Sequence, residues 1–439
     1  MFQYYFLLGV RSLRRNPALT ALMVLTLAIG VAASVATLTI LHVMSSNPIP
    51  HKSERLLLPV LDTAPLAGYK PGAAIRKNGA EQMSYIDSMN LLAGGRGERR
   101  TVLYGINVAI EPARKDLPVV SAEGLAATRD LFAMFDVPFL YGQPWSEADD
   151  MAGADKVVLS QAMAEKLFGA VDPVGRPVRL MGFDFIVTGV MKPWMPVPKF
   201  YRLIGGPGAF GKEDEFLLPF ASAIRHETRH SGSMNCQQNR DAGWQGLLKS
   251  ECTWMQVFFE VRPGGRAELQ QYLDNYAEDQ RKLGRMKRAA PNRLYDVMEW
   301  LEFQEVVGND NRLSAWLAFA FLLLCLINTI GLLLAKFSVR ASEVGIRRAL
   351  GASRAEIFKQ FLIETAVVGL AGGVLGLLLA FGALALIAMQ SDQFKLLAQM
   401  DWQMLGLTFV MALGAALLAG LLPTWRACQV TPAIQLKSQ

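Results

Sequence analysis

The stretch KFSVRASEVGIRRALGASRAEIFKQFLIE, Lys336–Glu364, lies between two long apolar runs, Leu313–Ala335 and Phe361–Met389. That placement reads as a loop between two membrane helices. Two helical signals sit inside it. Ser342 is placed to cap a first helix, with Glu343 in its first turn, where the helix dipole favours a carboxylate. Gly351 stands where such a helix would end in a left-handed residue. Ser353-Arg-Ala-Glu356 is then a capping box that opens a second helix running into the next apolar run. The spacing predicts a short basic helix held at a membrane surface between two spans, a shape suited to receiving a push from a partner. Charge alone supports a plainer reading, a cytoplasmic loop whose Lys and Arg obey the positive-inside rule.

Composition agrees with a membrane protein. The chain has 439 residues, room for two or three domains, with 52% apolar and only 19% charged residues, and the apolar excess is gathered into a few runs. The net charge of +6 is spread along the chain with no polybasic tail, so nucleic acid is not expected as a partner. Of four cysteines, Cys325 and Cys428 lie in or beside apolar runs. Cys236 and Cys252 fall close together in an otherwise cysteine-free polar segment, which fits either a disulfide in an oxidising compartment or two free thiols. His42, His51, His226 and His230 form no metal motif, and the helical spacing of His226 and His230 fits a pair of surface histidines. No nucleophile elbow is present. Gly351-Ala-Ser-Arg has neither the length nor the lysine of a phosphate loop. The chain is therefore expected to be non-catalytic, with no catalytic, cofactor-binding or metal residues of its own.

Working outward, residues 1–17 form an amphipathic pattern, with Phe2, Tyr5, Phe6, Val10 and Leu13 on one side and Arg11, Arg14 and Arg15 on the other. Residues 18–44 contain no Lys, Arg, Asp or Glu and make a first span, opened by Asn16-Pro17. The run is too long for a signal-peptide core, and the arginines ahead of it put the N-terminus in the cytoplasm. Residues 45–312 are a polar α+β domain. Strands are expected at Arg55–Leu61, Val102–Glu111, Leu117–Ala122, Phe183–Met191 and Thr253–Val261. Helices are expected at Met83–Leu92, Arg129–Phe135, Gln161–Phe168 and Ala267–Leu283, and the interleaving suggests a split β-α-β unit. Residues 225–252 read as an insertion, and Pro193–Lys212 as a loop rich in proline, glycine and aromatics, either a binding lip or a packed loop. Asn292–Gly308 looks helical and leads into a second span, residues 313–337, in which Asn328 and Thr329 should face other helices. The loop occupies residues 338–360 and the third span residues 361–389, where Gly369, Gly372, Gly373 and Gly376 would let a neighbouring helix approach closely. A fourth span covers residues 403–423 and a cytoplasmic tail residues 424–439. One lysine in Gln390–Trp402 against six Lys/Arg in Lys336–Lys359 sets which side is outside.

Four parts of the chain resemble the MacB/FtsX-type ABC transporter permeases, the mechanotransmission superfamily. They are Arg11-Ser-Leu-Arg-Arg-Asn-Pro17; KVVLSQAMAEKLFGAVDPVGRPVRL (Lys156–Leu180) followed by FIVTGVM (Phe185–Met191); Arg340-Ala-Ser-Glu-Val-Gly-Ile-Arg-Arg-Ala-Leu-Gly-Ala-Ser353; and Gly420-Leu-Leu-Pro-Thr-Trp-Arg-Ala427 with Thr431-Pro-Ala-Ile-Gln-Leu436. The third is the most specific, and together they follow the family's order over nearly the whole chain. The resemblance implies a bacterial inner-membrane permease with both termini cytoplasmic and a large periplasmic domain. It implies a ferredoxin-like porter part with an inserted subdomain, here placed at residues 225–252. Arg340, Glu343, Gly345, Ile346, Arg347, Arg348, Leu350 and Gly351 would form the seat of a separate cytosolic ATPase, and ATP and Mg would act through that subunit. A second copy or a paralogous permease would complete the pair, with a periplasmic adaptor or lipoprotein and membrane lipid as further partners. Two outputs fit: export or extraction of a substrate from the outer side of the inner membrane, or FtsX-like signalling to a periplasmic partner without moving cargo.

Overall fold

The structure is a computed structural model and describes residues 16–64, 66–67, 69–71, 81–112, 118–204, 208–236, 240–289, 292–389, 406, 410–411, 414–415, 417–421 and 423–425. Residues 1–15 of the expected 1–17 amphipathic helix, the loop after the third apolar run, about half of the fourth run and the tail from residue 426 on lie outside these residues. The chain divides into two compact units, one comprising Met1–Ser45 with Val307–Gln439 and the other Ser46–Val306.

Helix α1, Pro17–Met44, begins with proline in its first turn, where the missing N–H costs nothing. Its apolar length is sufficient to cross a membrane.

The second unit opens with β1 (Leu56–Val60), β2 (Met83–Ser84), α2 (Tyr85–Ala93) and β3 (Arg99–Glu111). It continues through β4 (Val120–Ala127), α3 (Asp130–Met134), β5 (Phe139–Gly142), α4 (Glu147–Ala152), β6 (Lys156–Ser160) and α5 (Gln161–Phe168). Then come β7 (Pro177–Leu180), β8 (Phe183–Met191), β9 (Phe216–Pro219), α6 (Phe220–Arg225) and α7 (Gly243–Leu248). The unit closes with β10 (Thr253–Glu260), α8 (Arg266–Lys282), β11 (Arg293–Tyr295) and α9 (Val297–Phe303). All strands join one mixed sheet in the order β11-β1-β10-β3-β4-β9-β6-β8-β5, with β2 on β10 and β7 against β3 and β8.

The strand order contains two interlocked β-α-β units. β1 and β3 are both antiparallel to β10, which lies between them, and α2 connects them. β10 and β11 are both antiparallel to β1, which lies between them, and α8 connects them. Side-chain alternation then sends Leu57 and Phe259 to one face, with Leu91 of α2 and Leu273 of α8. Leu56, Leu58 and Phe258 go to the other face, with Trp300 of α9 and Phe200. Every residue between β3 and β10 is an insertion into this pattern, of which residues 225–252 are only the final part. Within that part Cys236 and Cys252 are joined by a disulfide.

Asn292–Gly308 is not one helix. Arg293–Tyr295 pairs with β1, and Asp296 restarts the chain as α9 through a capping box with Glu299. Glu305 then takes a positive φ of 54°, which interrupts the helix before the next one begins. In the first unit, α10 spans Asn309–Val339, α11 Ala341–Ala349 and α12 Arg354–Ala388. By length and composition α10 and α12 can also cross a membrane, which makes three such helices among the described residues.

Candidate functional site

Local caps shape the segment between α10 and α12. α11 ends in a Schellman turn: Gly351 N–H donates to the Arg348 carbonyl at 3.1 Å and Ala352 N–H to that of Arg347 at 3.0 Å. Gly351 has φ +100°, a conformation that a side chain would strain. Ser353 and Glu356 form the expected capping box, with Glu356 N–H donating to Ser353 Oγ at 3.2 Å. Ser342 does not cap α11. The helix already includes it, because Arg340 at φ −96°, ψ 6° stays close to helical, without the extended residue that a side-chain cap requires.

A tertiary ion cluster then fixes α11 in place. Glu364 of α12 is 3% exposed, forms an ion pair with Lys336 Nζ at 2.8 Å and accepts hydrogen bonds from Arg340 at 2.9 and 3.0 Å. Lys336 is fully buried at the end of α10. Sequence reasoning missed both Lys336 and Glu364; the signal available was a charge of opposite sign at the loop-facing edge of each flanking apolar run. Farther out, Arg347 donates to Glu343 at 2.6 Å and to Gln360 at 3.0 Å. Beneath the helix, Val344 packs with Phe337, Ile357 and Phe361, and Gly345 is buried beside it. On the opposite side Ile346 is 60% and Leu350 83% exposed. The inner face of α11 is thus anchored, while its outer face presents apolar side chains beside arginines.

The helix-packing residues divide. A Cβ added to Gly372 would lie 2.8 Å from Leu27, and one added to Gly376 would lie 3.0 Å from the Ala28 carbonyl oxygen, so these two glycines admit α1. Gly369 is buried and Gly373 half-buried. Asn328, expected to face a neighbouring helix, is exposed on this chain. Thr329, which carries the same expectation, is turned inward, with its hydroxyl on the Cys325 carbonyl at 2.8 Å. Gly376→Ile should disrupt the α1–α12 contact and cost about 2–3 kcal/mol through overpacking, read as a lower unfolding midpoint in detergent. Gly373→Ile should cost less.

The paired histidines are not a site. His226 lies 2.7 Å from Asp155, whereas His230 packs against Trp254. Burial alone would raise Asp155, but hydrogen bonds from His226 and Ser222 and the Arg225 charge outweigh it and hold the carboxyl below its usual value. Among the described residues no His, Cys, Asp and Glu group could hold a metal.

An apolar anchor, a sheet domain inserted between the first and second long helices, and a capped basic turn before the third define a membrane permease with an outer domain. The chain matches the MacB-like periplasmic core domain over residues 20–276 and the FtsX-like permease C-terminal region over residues 315–432, and it belongs to that family of ABC transporter permeases. It is 25% identical over 297 residues to the uncharacterized ABC transporter permease YknZ of Bacillus subtilis, covering 66% of this chain and 64% of that one. It is 24% identical over 318 residues to the macrolide export ATP-binding/permease protein MacB of Bdellovibrio bacteriovorus, covering 70% of this chain and 41% of that one. The chain thus spans less than two thirds of each of these relatives. The crystal structure of the periplasmic region of MacB from Actinobacillus actinomycetemcomitans superposes with a TM-score of 0.36 at 10% identity, covering 60% of this chain and 96% of that one.

Proposed function

We propose that this permease converts ATP hydrolysis on a separate cytosolic ATPase into motion of its Ser46–Val306 unit, driving export or extraction of a substrate from the outer side of the inner membrane. The observation that carries this reading is α11. Its inner face is anchored by the Val344 contacts and by the Lys336–Glu364–Arg340 cluster at its base, while Ile346 and Leu350 stay exposed. A lever needs both properties, a rigid mounting and an open docking face. The reading includes a fourth span over residues 403–423, cytoplasmic termini, and a pair of permeases per assembly. The two interlocked β-α-β units are taken as the ferredoxin-like porter part, which supports assigning the whole segment between β3 and β10, rather than residues 225–252 alone, to the inserted subdomain.

Co-purification with the ATPase tests the proposal. Leu350→Asp and Arg347→Glu should each weaken the complex about thirtyfold, as expected for a docking hot spot, and lower ATP turnover in proportion. Gly351→Pro should do the same by destroying the Schellman turn, since it removes the N–H and forbids the positive φ. Unchanged binding and turnover in all three variants would sink the coupling assignment.

A further inference from the structure

The loop after β8 does more than cover the sheet. Residues Pro193–Ile204 bring together the segment where the chain enters the outer unit, the helix before it leaves, and the central strands. Ser46, the unit's first residue, donates its hydroxyl to the Val197 carbonyl at 2.9 Å. Trp300 of α9, the last helix before Val306, is fully buried and donates its indole N–H to the Phe200 carbonyl at 3.0 Å. On the sheet side, Phe200 packs edge-on to Phe258 of β10 with ring centroids 6.0 Å apart. Arg202 pairs with Glu123 of β4 at 2.8 Å and also with Asp214, just ahead of β9. Its guanidinium also lies over β3, where a Cβ added to Gly105 would come within 2.6 Å of it.

A loop that merely fills space needs apolar burial. This one in addition gives a backbone carbonyl to the incoming segment and another to the outgoing helix, three residues apart, and answers with a buried cation on the sheet. We propose that this strap is the element through which displacement of the two membrane-proximal ends of the unit reaches the central strands. Ser46 and Trp300 act as the input contacts and Arg202 as the output contact. The inference rests on the ATP-driven motion proposed above and names the route it takes inside the outer unit.

The test is hydrogen exchange on the full-length chain assembled with its ATPase in lipid nanodiscs, with and without ATP. In the wild type, ATP should change exchange at residues 46–52, 297–303 and 120–127. In Trp300→Phe with Ser46→Ala, ATP turnover and the change at residues 297–303 should persist. The ATP-induced change in β4 should fall about fivefold for each hydrogen bond removed. Arg202→Lys, which keeps a charge for Asp214 but loses the guanidinium fork, should give the same loss from the output side. If the double variant folds poorly, Ser46→Ala alone should still give the single-bond reduction. An undiminished response in β4 in these variants overturns the strap. No ATP response at residues 46–52 and 297–303 in the wild type instead overturns the ATP-driven reading, and the strap's role with it.

Discussion

Glu364→Ala should destabilise the permease by about 3–5 kcal/mol, because it leaves two cations in a buried site without their shared carboxylate. Lys336 has no exposed side-chain surface and Arg340 only 12%, so neither can regain water where it stands. Lys336 lies in the last turn of α10 and Arg340 links α10 to α11, while Glu364 lies on α12, so the cluster joins the two long helices across α11. Its loss should therefore loosen the mounting of α11 as well as lower stability. The measurement is the unfolding midpoint of the detergent-solubilised protein, alongside binding of the ATPase. Removing all three charges as Lys336→Met, Arg340→Met and Glu364→Leu should recover much of the stability, since a well-packed apolar replacement avoids the desolvation penalty. A Glu364→Ala midpoint near that of the wild type would show that the cluster carries little of the load.

That cluster also marks the limit of what the sequence discloses. The long helices are legible because an uncharged apolar run of span length has few other fates, and Gly351 and the Ser353–Glu356 box are legible because their partners are local. Lys336 and Glu364 meet only after two helices and a turn have folded between them, and no period connects them. The helical reading of Asn292–Gly308 failed for a similar reason: β11 is three residues long and exists because β1 offers it an edge. β9 is buried at every position and so lacks the alternation that betrays a half-exposed strand. Asn328 and Thr329 carry the same chemical expectation of a helix partner, and within this chain it is Thr329 that points inward, a choice set by the rotation of α10 against the other helices. In the outer domain the chain reads as α+β from local runs, while the interlocked order β11-β1-β10-β3 depends on pairings across the long insertion.

In the outer unit the comparable substitution is Asp214→Ala. Asp214 is 1% exposed and accepts from Tyr201 at 2.8 Å, from Lys199 at 3.3 Å and from Arg202. Lys199 is equally buried and also donates to the Lys212 carbonyl, so its charge has little access to solvent. Taking away the carboxylate strands both cations and should again cost about 3–5 kcal/mol, with the strap that carries Lys199, Tyr201 and Arg202 released first. The pH dependence has a definite sign. Burial alone would raise the Asp214 pKa, but the Lys199 and Arg202 charges, with hydrogen bonds from Tyr201 and Arg202, hold it below the ordinary 3.8. A carboxyl depressed in the folded state contributes stability that is complete above its unfolded pKa and is lost as pH falls through the folded value. The wild-type outer unit should therefore hold its unfolding temperature from neutral pH to about 4 as far as this group is concerned, then lose stability below it. Asp214→Asn should start from a lower unfolding temperature at pH 7 and show a shallower acid decline, because the group that titrates is gone. Parallel acid declines in the two proteins would mean that other carboxylates, such as the similarly depressed Asp155, account for the loss. The strap would then be held mainly by its aromatic packing and by the two carbonyls it gives to Ser46 and Trp300.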